Sequence, residues 1–441
     1  MGRDLRQGLR QRRAVGGVLA ANFEMYDAGD LINVKGNRMS NTVVPFELFS
    51  PDYFRDPYSA LDWLRENSPV HRYVFPVGNV PMWVVTRYDD AVTILGDPRF
   101  STAEWRGSPE FQASGLSVSA GTVLSQTIPG LDPPQHTKVR RCAMSAFTPR
   151  SVDRWREDIR TIVDDTIKDW APGQERELVA EFAALIPSRV VSTRLGFTLE
   201  RREQLAGDVD LLISTDPADF PRIPGARERI IAYGRELVAL KRAEPGDDLT
   251  SAFIRAADEE GRITQDELDA LVIIMIIAGV GTTKMFLTNA VLALFDHPGQ
   301  LKLVADDPGI LAGTGVEELL RYESPVASTP WRFPTEDIRI RDQVIAAGEP
   351  VMVMVAAANR DPAVFDDPHR LDLTRTGARH LGLGHGIHNC LGAAAARLIS
   401  EMTLATLVGR FPGLRLAIPR EEVRRHEVWA LNDYRALPVI L

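Results

Sequence analysis

The amino-acid sequence predicts a single large domain that is mainly α-helical and carries small β-sheets. Apolar residues recur at helical spacing through most of residues 149–296. Short runs rich in β-branched residues are confined to residues 82–86 and to the region after Pro325. A length of 441 residues would allow about three domains, but the composition is even over residues 39–441 and shows no internal repeat. These observations favour one domain.

The first half of the chain contains mostly helical patterns. Apolar spacing predicts an early helix over Pro57–Glu66, and the run MWVVT at residues 82–86 predicts a strand. Residues 101–131 are rich in Ser, Gly and Thr, which predicts a long surface loop. From Pro149 to about Glu260 the pattern is helical again, interrupted by two turns that contain Pro-Gly pairs.

The second half has clearer element boundaries. Thr264 and Glu267 form a capping-box pattern that opens a long helix, and a His-Pro-Gly sequence stops this helix after Asp296. A shorter helix is predicted over Gly313–Tyr322. The remaining predicted elements are strands at 338–342 (IRIRD) and 351–355 (VMVMV), a glycine-rich loop at 382–386 and a last helix from Leu391 to about Gly409.

Composition excludes several classes of protein. The 51 basic and 60 acidic residues give a net charge of −9, which argues against a protein that grips nucleic-acid phosphates. Two cysteines, Cys142 and Cys390, are too few for a disulfide scaffold or a multi-cysteine zinc site, and they suit a reducing cytoplasm. The longest apolar stretch, Leu271–Val280, is too short for a bilayer, so we expect no membrane span and a helix that crosses a large core.

The N-terminal segment is expected to lie outside the domain. Residues 1–38 begin with a basic stretch followed by a short apolar one, an order that resembles a weak signal peptide. The apolar part contains two glycines and is barely long enough for that role. We therefore expect a disordered extension over 1–38 and a domain over 39–441, with Met39 as an alternative start.

The segment HLGLGHGIHNCLGAAAAR, residues 380–397, carries the strongest chemical signal. Its alternating glycines at 382–386 allow a tight turn against a flat or bulky group. Cys390 stands just before a predicted helix, where the helix N-terminal field and backbone N–H groups favour a thiolate. Gly392 permits close approach of another surface. A thiolate held in this way is a nucleophile or a metal ligand, whereas the alternative for a lone cysteine is a small buried apolar side chain.

The same segment resembles the haem-binding loop of the cytochrome P-450 superfamily, whose pattern is F-G-x-G-x-H-x-C-x-G. Here the pattern stands as Leu383–Gly392, with Gly384 and Gly392 at two of its glycine positions. The resemblance implies that Cys390 is the proximal thiolate ligand of the iron in haem b, where a thiolate favours O–O cleavage. It also implies the triangular cytochrome P-450 fold, mainly α with small β-sheets.

Further segments follow in the family's order. EELLRYESP contains the motif E-x-x-R as Glu318 and Arg321, which lie on one helix face. Taken alone, this spacing indicates no more than a surface ion pair. The resemblance implies instead a buried pair that supports the haem loop. Buried propionates need cationic or N–H partners, which Arg provides as a fork. The resemblance assigns these four side chains to the haem propionates: His136, Arg140, Arg332 and His388.

The long helix departs from the family pattern A/G-G-x-D/E-T-T. Thr282 matches the family's alcohol, but Gly281 stands where the acid is expected. In the family this acid and alcohol relay protons to dioxygen at the iron. Three interpretations remain open: Thr282 works with water or with a substrate hydroxyl or carboxylate, the enzyme accepts peroxide directly, or the chemistry stops at abstraction and the substrate radical couples. Nearby Lys284 should face elsewhere on the helix.

Two positions in the haem loop and several pocket positions complete the candidate site. Leu383 replaces the family's Phe, and Asn389 precedes Cys390 where an apolar residue is commoner, so we hypothesise an altered redox potential. The resemblance implies that the distal side and substrate pocket include the following residues: Ala278, Val280, Val326, Ala327, Ser328 and Thr329.

The resemblance implies a haem-thiolate monooxygenase that hydroxylates or oxidatively couples a small organic substrate in specialised metabolism. Electrons would come from NAD(P)H through a separate ferredoxin and reductase, because the chain contains no flavin or ferredoxin domain. A basic patch for an acidic ferredoxin and a merely solvated face are equal alternatives for Lys138, Arg141, Arg379 and His385. The substrate arrives free or bound to a carrier protein. The remaining alternative is a non-catalytic haem-containing binding or recruitment protein.

Overall fold

Helices make up most of the computed structural model, which describes residues 44–117, 119, 121–197, 199–212, 219, 221–260 and 263–441. The expected extension over 1–38 and the domain start at residue 39 lie outside the described residues. The helices are α1 (Pro51–Arg55), α2 (Pro57–Asn67), α3 (Tyr88–Gly96), α4 (Pro109–Ala113), α5 (Gln135–Met144), α6 (Pro149–Asp153), α7 (Arg156–Ile167), α8 (Leu185–Leu195), α9 (Leu199–Leu212), α10 (Ile223–Ala243), α11 (Leu249–Glu260), α12 (Gln265–Asp296), α13 (Pro298–Asp306), α14 (Val316–Tyr322), α15 (Val355–Ala358) and α16 (Ala393–Arg410).

Local sequence explains where many of these helices begin. Proline occupies the first position of α1, α2, α4, α6 and α13, where its missing N–H has no intrahelical partner to lose. In the first four, the preceding Ser, Asp or Thr side chain accepts a hydrogen bond from a backbone N–H of the first turn. The predicted early helix and the helical region from Pro149 to about Glu260 are confirmed.

Helix α12 runs 32 residues through the core. Its predicted capping box is present: Thr264 Oγ1 accepts from Glu267 N–H at 3.2 Å, and Glu267 Oε2 accepts from Thr264 N–H at 2.7 Å. Of the described helices, α12 alone has the length and apolar composition of a membrane span, and 56% of its most apolar window is buried within the protein. It packs against α8, α10 and α16, as expected of a core-crossing helix.

The strands form small sheets. β1 (Val70–Phe75) pairs antiparallel with β2 (Val80–Val85), which pairs parallel with β8 (Val351–Val353). The strand predictions at 82–86, 338–342 and 351–355 are confirmed, with shorter bounds for the last two. The other strands are β3 (Phe100–Ser101) paired with β5 (Phe333–Pro334), β6 (Ile338–Ile340) paired with β7 (Gln343–Ile345), and β10 (Pro438–Ile440) paired with both β4 (Glu175–Glu177) and β9 (Arg415–Leu416).

The prediction of a long surface loop over 101–131 is wrong in part. This segment contains α4 and short 3₁₀ turns, and it buries Phe111, Leu124 and Ile128. Residues 123–126 pack against α12, so the segment covers the core helix. Ser and Gly enrichment predicts irregular backbone, but a few apolar side chains within such a stretch are enough to bury it.

Two predicted helix starts are early by two or three residues. α14 begins at Val316 because Leu311–Gly315 form a π-helical turn instead. α16 begins at Ala393, so Cys390 and Leu391 lie in the loop before the helix. The fold is nevertheless the predicted single domain, mainly α with small β-sheets.

Candidate active site

A cavity of about 360 Å³ lies between α12 and the loop that carries Cys390. Ala278, Gly279 and Thr282 of α12 line one wall, and Cys390 lies on the wall of the glycine-rich loop. Most of the other lining side chains are apolar. A volume of this size suits a small molecule or cofactor.

The loop around Cys390 is shaped by glycine. Gly384 and Gly386 adopt positive φ values of 76° and 68°, which other residues rarely adopt. A Cβ on Gly386 would collide with the backbone carbonyl of Leu95 at the end of α3, so α3 supports the loop from outside. The Cys390 N–H donates to Leu383 O at 2.8 Å. These contacts hold Cys390 at the cavity wall.

The electrostatics of Cys390 differ from the expectation that the helix terminus favours a thiolate. Burial raises the pKa of the Cys390 thiol, while the Gly392 N–H and the Arg140 guanidinium act in the opposite direction. The protein alone therefore favours the neutral thiol. A metal ion at the sulfur would supply the missing positive partner.

Of the four residues predicted to bind the propionates, the two histidines have buried ring nitrogens without a hydrogen-bond partner. His136 Nε2 and His388 Nδ1 are buried and have no hydrogen-bond partner, and the two rings stand 4.4 Å apart. The buried Arg332 guanidinium donates to the backbone carbonyls of Pro330 and Trp331. Two ring nitrogens thus lack a partner, and the Arg332 guanidinium has only backbone carbonyls to bond, an arrangement that two haem propionates would satisfy.

Burial governs the charge state of the cluster. It lowers the pKa of Arg332 to about 10. It also lowers the pKa of His388 to about 3, reinforced by the nearby charges of Arg332, His136 and Arg140. A buried anion would reverse these shifts, since an opposite charge favours the charged form. The orphaned nitrogens and the apolar cavity beside Cys390 both fit haem b.

Some of the predicted distal and pocket residues line the cavity, and others do not. Ala278, Thr282, Val326 and Thr329 line the cavity, whereas Gly281 is buried in α12 and does not. The Thr282 hydroxyl donates to Ala278 O at 2.9 Å, which leaves its oxygen free to accept a proton donor.

The structure places three of the predicted pocket positions outside this cavity. Val280 lies on the other side of α12, where it lines a separate small cavity with residues of α8 and α9. Ala327 and Ser328 do not line the cavity: the Ala327 N–H donates to Ala430 O, and the Ser328 hydroxyl donates to Trp429 O. The C-terminal segment therefore holds these two residues away from the cavity.

Helical periodicity could have found lining residues that the sequence analysis missed. Met275 and Phe286 lie three before Ala278 and four after Thr282, and both line the cavity. Ile274 and Thr283 extend the same wall. No comparable signal in the sequence marks Arg194 and Trp155, which line the cavity from α8 and from the turn before α7.

The predicted E-x-x-R pair is buried. Arg321 Nε lies 2.7 Å from Glu318 Oε2, and the two side chains are 2% and 1% exposed. Arg321 also donates to Asn359 O at 2.9 Å, and Asn359 Oδ1 accepts from the Leu381 N–H at 2.7 Å. This chain of contacts connects α14 to the start of the glycine-rich loop.

Lys284 faces away from the cavity, as the sequence predicts. It is the one charged residue between Asp269 and Asp296, and its Nζ lies 3.3 Å from Asp210 Oδ1 and 3.7 Å from Asp433 Oδ2. Lys284 and Asp433 are both largely buried. The ion pairs thus connect α12 to α9 and to the C-terminal segment.

Replacing Lys284 by Gln is expected to lower the free energy of unfolding by about 2 kcal/mol, because Asp433 would stay buried without its cation. The change would be measured as a shift of the urea midpoint at constant slope. Lys302→Gln is the control, since Lys302 pairs with Asp306 on an exposed helix face and should change stability by less than about 0.5 kcal/mol. Equal effects of the two substitutions would contradict the role of burial.

Comparison with known proteins agrees with this geometry. Residues 314–422 match the family model described as Cytochrome P450. Cytochrome P450 107B1 of Saccharopolyspora erythraea is 36% identical over 410 residues, which cover 91% of this chain and 99% of that protein. Cytochrome P450 monooxygenase PikC of Streptomyces venezuelae is 35% identical over 412 residues, which cover 92% of this chain and 96% of that protein.

Structural similarity leads to the same family. P450BioI, solved in complex with an acyl carrier protein that carries hexadec-9Z-enoic acid, matches with a TM-score of 0.80 and 32% identity, covering 88% of this chain and 99% of that chain. Such relatives use haem b and receive electrons from NAD(P)H through ferredoxin and a reductase. They do not favour the peroxide-using, radical-coupling or non-catalytic alternatives. With these identities over nearly the full length of each relative, the chain belongs to the cytochrome P450 family and is a haem-thiolate monooxygenase.

Proposed function

We propose that this cytochrome P450 oxidises a small, largely uncharged organic substrate of specialised metabolism in the cytoplasm. The observation that carries the proposal is the apolar wall of the Cys390 cavity that α12 forms together with Pro325, Val326, Thr329 and Pro330. Near Thr282 this wall offers hydroxyl groups but no charged side chain. An apolar pocket with few polar groups selects substrates by shape and by excluding charge.

Different residues of the chain would bind the iron and the propionates of the cofactor. Cys390 would hold the haem iron, with Gly384 and Gly392 in the loop beside it. The cluster of His136, Arg140, Arg332 and His388 would hold the propionates through charge-assisted hydrogen bonds. When bound, haem supplies the redox-active iron that activates dioxygen.

Thr282 would provide the proton path at the cavity wall. Its hydroxyl hydrogen is held by Ala278 O, so its oxygen can accept from a water or from a substrate hydroxyl. Gly281 adds no acid to this path. A water, or a polar group of the substrate itself, would therefore complete the relay that Thr282 begins.

Thr282→Ala is expected to lower product formation by roughly 10²-fold or more, the usual contribution of a positioned proton-transfer group. Peroxide release per NAD(P)H should rise, because electrons still arrive while protons are misdirected. Thr283→Ala is the matched control: Thr283 also lines the cavity, but its hydroxyl donates to Gly279 O on the flank of α12. Both rates would be measured with substrate-saturated enzyme, and an unchanged product-to-peroxide ratio in Thr282→Ala would refute the role.

The electron donor would dock on the face outside the Cys390 loop. Lys138, Arg141 and Arg379 are exposed and His385 is partly exposed, and a basic surface made of these side chains would suit an acidic ferredoxin. The relative solved with an acyl carrier protein supports a second proposal about delivery, that the substrate is presented to this chain while tethered to a carrier.

An absorption titration of ferric protein tests the substrate class and its delivery together. The panel would contain hexadecenoic acid, the same acyl chain on an acyl carrier protein, and a neutral polyketide lactone. Displacement of water from the iron shifts the Soret band, so a saturable shift with one class identifies it. Tighter binding of the carrier-bound acyl chain than of the free acid supports tethered delivery. No saturable shift with any of these three largely apolar ligands would overturn the apolar assignment.

A further inference from the structure

The side chain of Asn389 closes the Cys390 loop on itself. Its Nδ2 donates to Leu383 O at 3.0 Å and to Gly384 O at 3.2 Å. Leu383 O also accepts from the Cys390 N–H at 2.8 Å. The Asn389 amide and the Cys390 N–H therefore share the same acceptor, Leu383 O. These two bonds join the end of the loop to its beginning.

The backbone of Asn389 is held as firmly as its side chain. The Asn389 N–H donates to Gly386 O at 3.1 Å, and Asn389 O accepts from Arg140 Nη2 at 2.7 Å. The residue therefore joins the loop to α5 as well as to itself. Both hydrogens of the amide have acceptors within the loop, which distinguishes Asn389 from a polar residue that merely faces solvent.

Side chains of the loop itself contribute little packing on this side. Gly384 and Gly386 contribute no side chains, and both adopt left-handed backbone conformations. Leu383 is only partly buried, and it packs at the edge of the core cluster that contains Leu319 and Leu398. A leucine fills less volume at this position than an aromatic ring would, so packing alone holds the loop less tightly.

We propose that the contributions of Asn389 and Leu383 to holding the loop are coupled. The hydrogen bonds of the Asn389 amide, here called the amide clamp, replace the packing that a larger side chain at position 383 would provide. Asn389 is a positioning residue: it fixes Leu383 O, Leu383 O fixes the Cys390 N–H, and the direction of the Cys390 sulfur follows. The inference rests on the proposed role of Cys390 as iron ligand. The function of the clamp is to hold the Cys390 sulfur in the position from which it ligates the iron as a thiolate.

The two departures from the family pattern would then compensate each other. Removal of the amide leaves Gly384 O without this donor and frees the loop to move around two glycines. A phenyl ring at position 383 would restore support by packing rather than by hydrogen bonding. The effects of substitutions at 383 and 389 should therefore be strongly non-additive, as is usual for residues in contact.

The test follows the reduced carbon monoxide complex of the holoenzyme in mild urea, where loss of the thiolate-type Soret band reports loss of sulfur ligation. Asn389→Ala should accelerate that loss about tenfold, equivalent to about 1.4 kcal/mol. Asn389→Asp should be at least as fast, since a carboxylate repels the two carbonyls. Leu383→Phe alone should change the rate less than about twofold, and in the Asn389→Ala background it should recover most of the loss.

Asn67→Ala serves as the matched control, because the Asn67 amide donates to Trp63 O on an exposed helix end. The urea midpoint of the far-ultraviolet signal is measured alongside and should stay unchanged in Asn389→Ala, which separates positioning of the sulfur from general destabilisation. Additive effects at 383 and 389 would overturn the clamp, as would a rate change in Asn389→Ala no larger than that in Asn67→Ala. Either result would leave the assignment of Cys390 as iron ligand intact. A wild-type complex without a thiolate-type band would overturn the assignment of Cys390, and the clamp with it.

Discussion

Replacing Cys390 by serine is expected to abolish monooxygenase activity while leaving the protein folded. The hydroxyl of serine does not ionise near neutral pH, so the variant lacks the anionic sulfur that distinguishes this family's iron centre. Cys390 lies in a loop before α16 and not in the packed core, so its loss should change the helical content little. The reduced carbon monoxide complex should lose its thiolate-type Soret band, and product should fall to background.

Cys142→Ser is the control for this prediction, because the chain contains two cysteines. Cys142 is buried in α5 and does not line the cavity. Its serine variant should keep the thiolate-type band and the activity, whatever it loses in stability. If the band survives in Cys390→Ser and disappears in Cys142→Ser, the ligand assignment is wrong.

Glu318→Ala should prevent the accumulation of folded protein. Glu318 balances the charge of Arg321, and its carboxylate also accepts from the Asp372 N–H at 3.0 Å and from Arg375 Nε at 3.1 Å. The substitution leaves a buried guanidinium without its anion, which costs about 3–5 kcal/mol. That is a large share of a typical stability of roughly 5–15 kcal/mol. Urea unfolding of any folded fraction would measure the loss.

An exposed pair supplies the control for Glu318. Asp52 and Arg55 have the same i, i+3 spacing, but their side chains are 84% and 73% exposed. Asp52→Ala should therefore change the free energy of unfolding by less than about 1 kcal/mol. Glu318→Gln should lie between the two, because it keeps the shape of the side chain and removes the charge. A loss in Glu318→Ala as small as that in Asp52→Ala would mean that the loop does not depend on the pair.

The elements that the sequence predicted well are those determined by neighbours in the chain. The capping box places the start of α12, and the His-Pro-Gly sequence places its end, because both act within one helical turn. The glycine loop before Cys390 follows the same rule, since Gly384 and Gly386 supply backbone conformations that other residues resist. Here the family resemblance added the identity of the cofactor, which local physics leaves open between a nucleophile and a metal ligand.

The predicted pocket positions that lie outside the cavity differ from the others in the directions of their side chains. Val280 lies two residues from both Ala278 and Thr282, so a helix that turns those two toward the cavity turns Val280 toward α8 and α9. Ser328 follows the E-x-x-R helix as a pocket residue should, yet the backbone of Trp429 captures its hydroxyl. For Ser328 the neighbour that decides the direction is remote in the chain, whereas for Val280 the helical period itself sets the direction.

The sequence by itself therefore determined the fold class, both ends of α12 and the loop that presents Cys390, because helix caps, proline and glycine act over a few residues. Tertiary structure alone decided that Lys284 meets an aspartate 74 residues away and that the Ser328 hydroxyl donates to a carbonyl 101 residues away. The physical reason is range: hydrogen bonds and ion pairs require atoms within about 3–4 Å. Only the packed chain brings such distant groups that close.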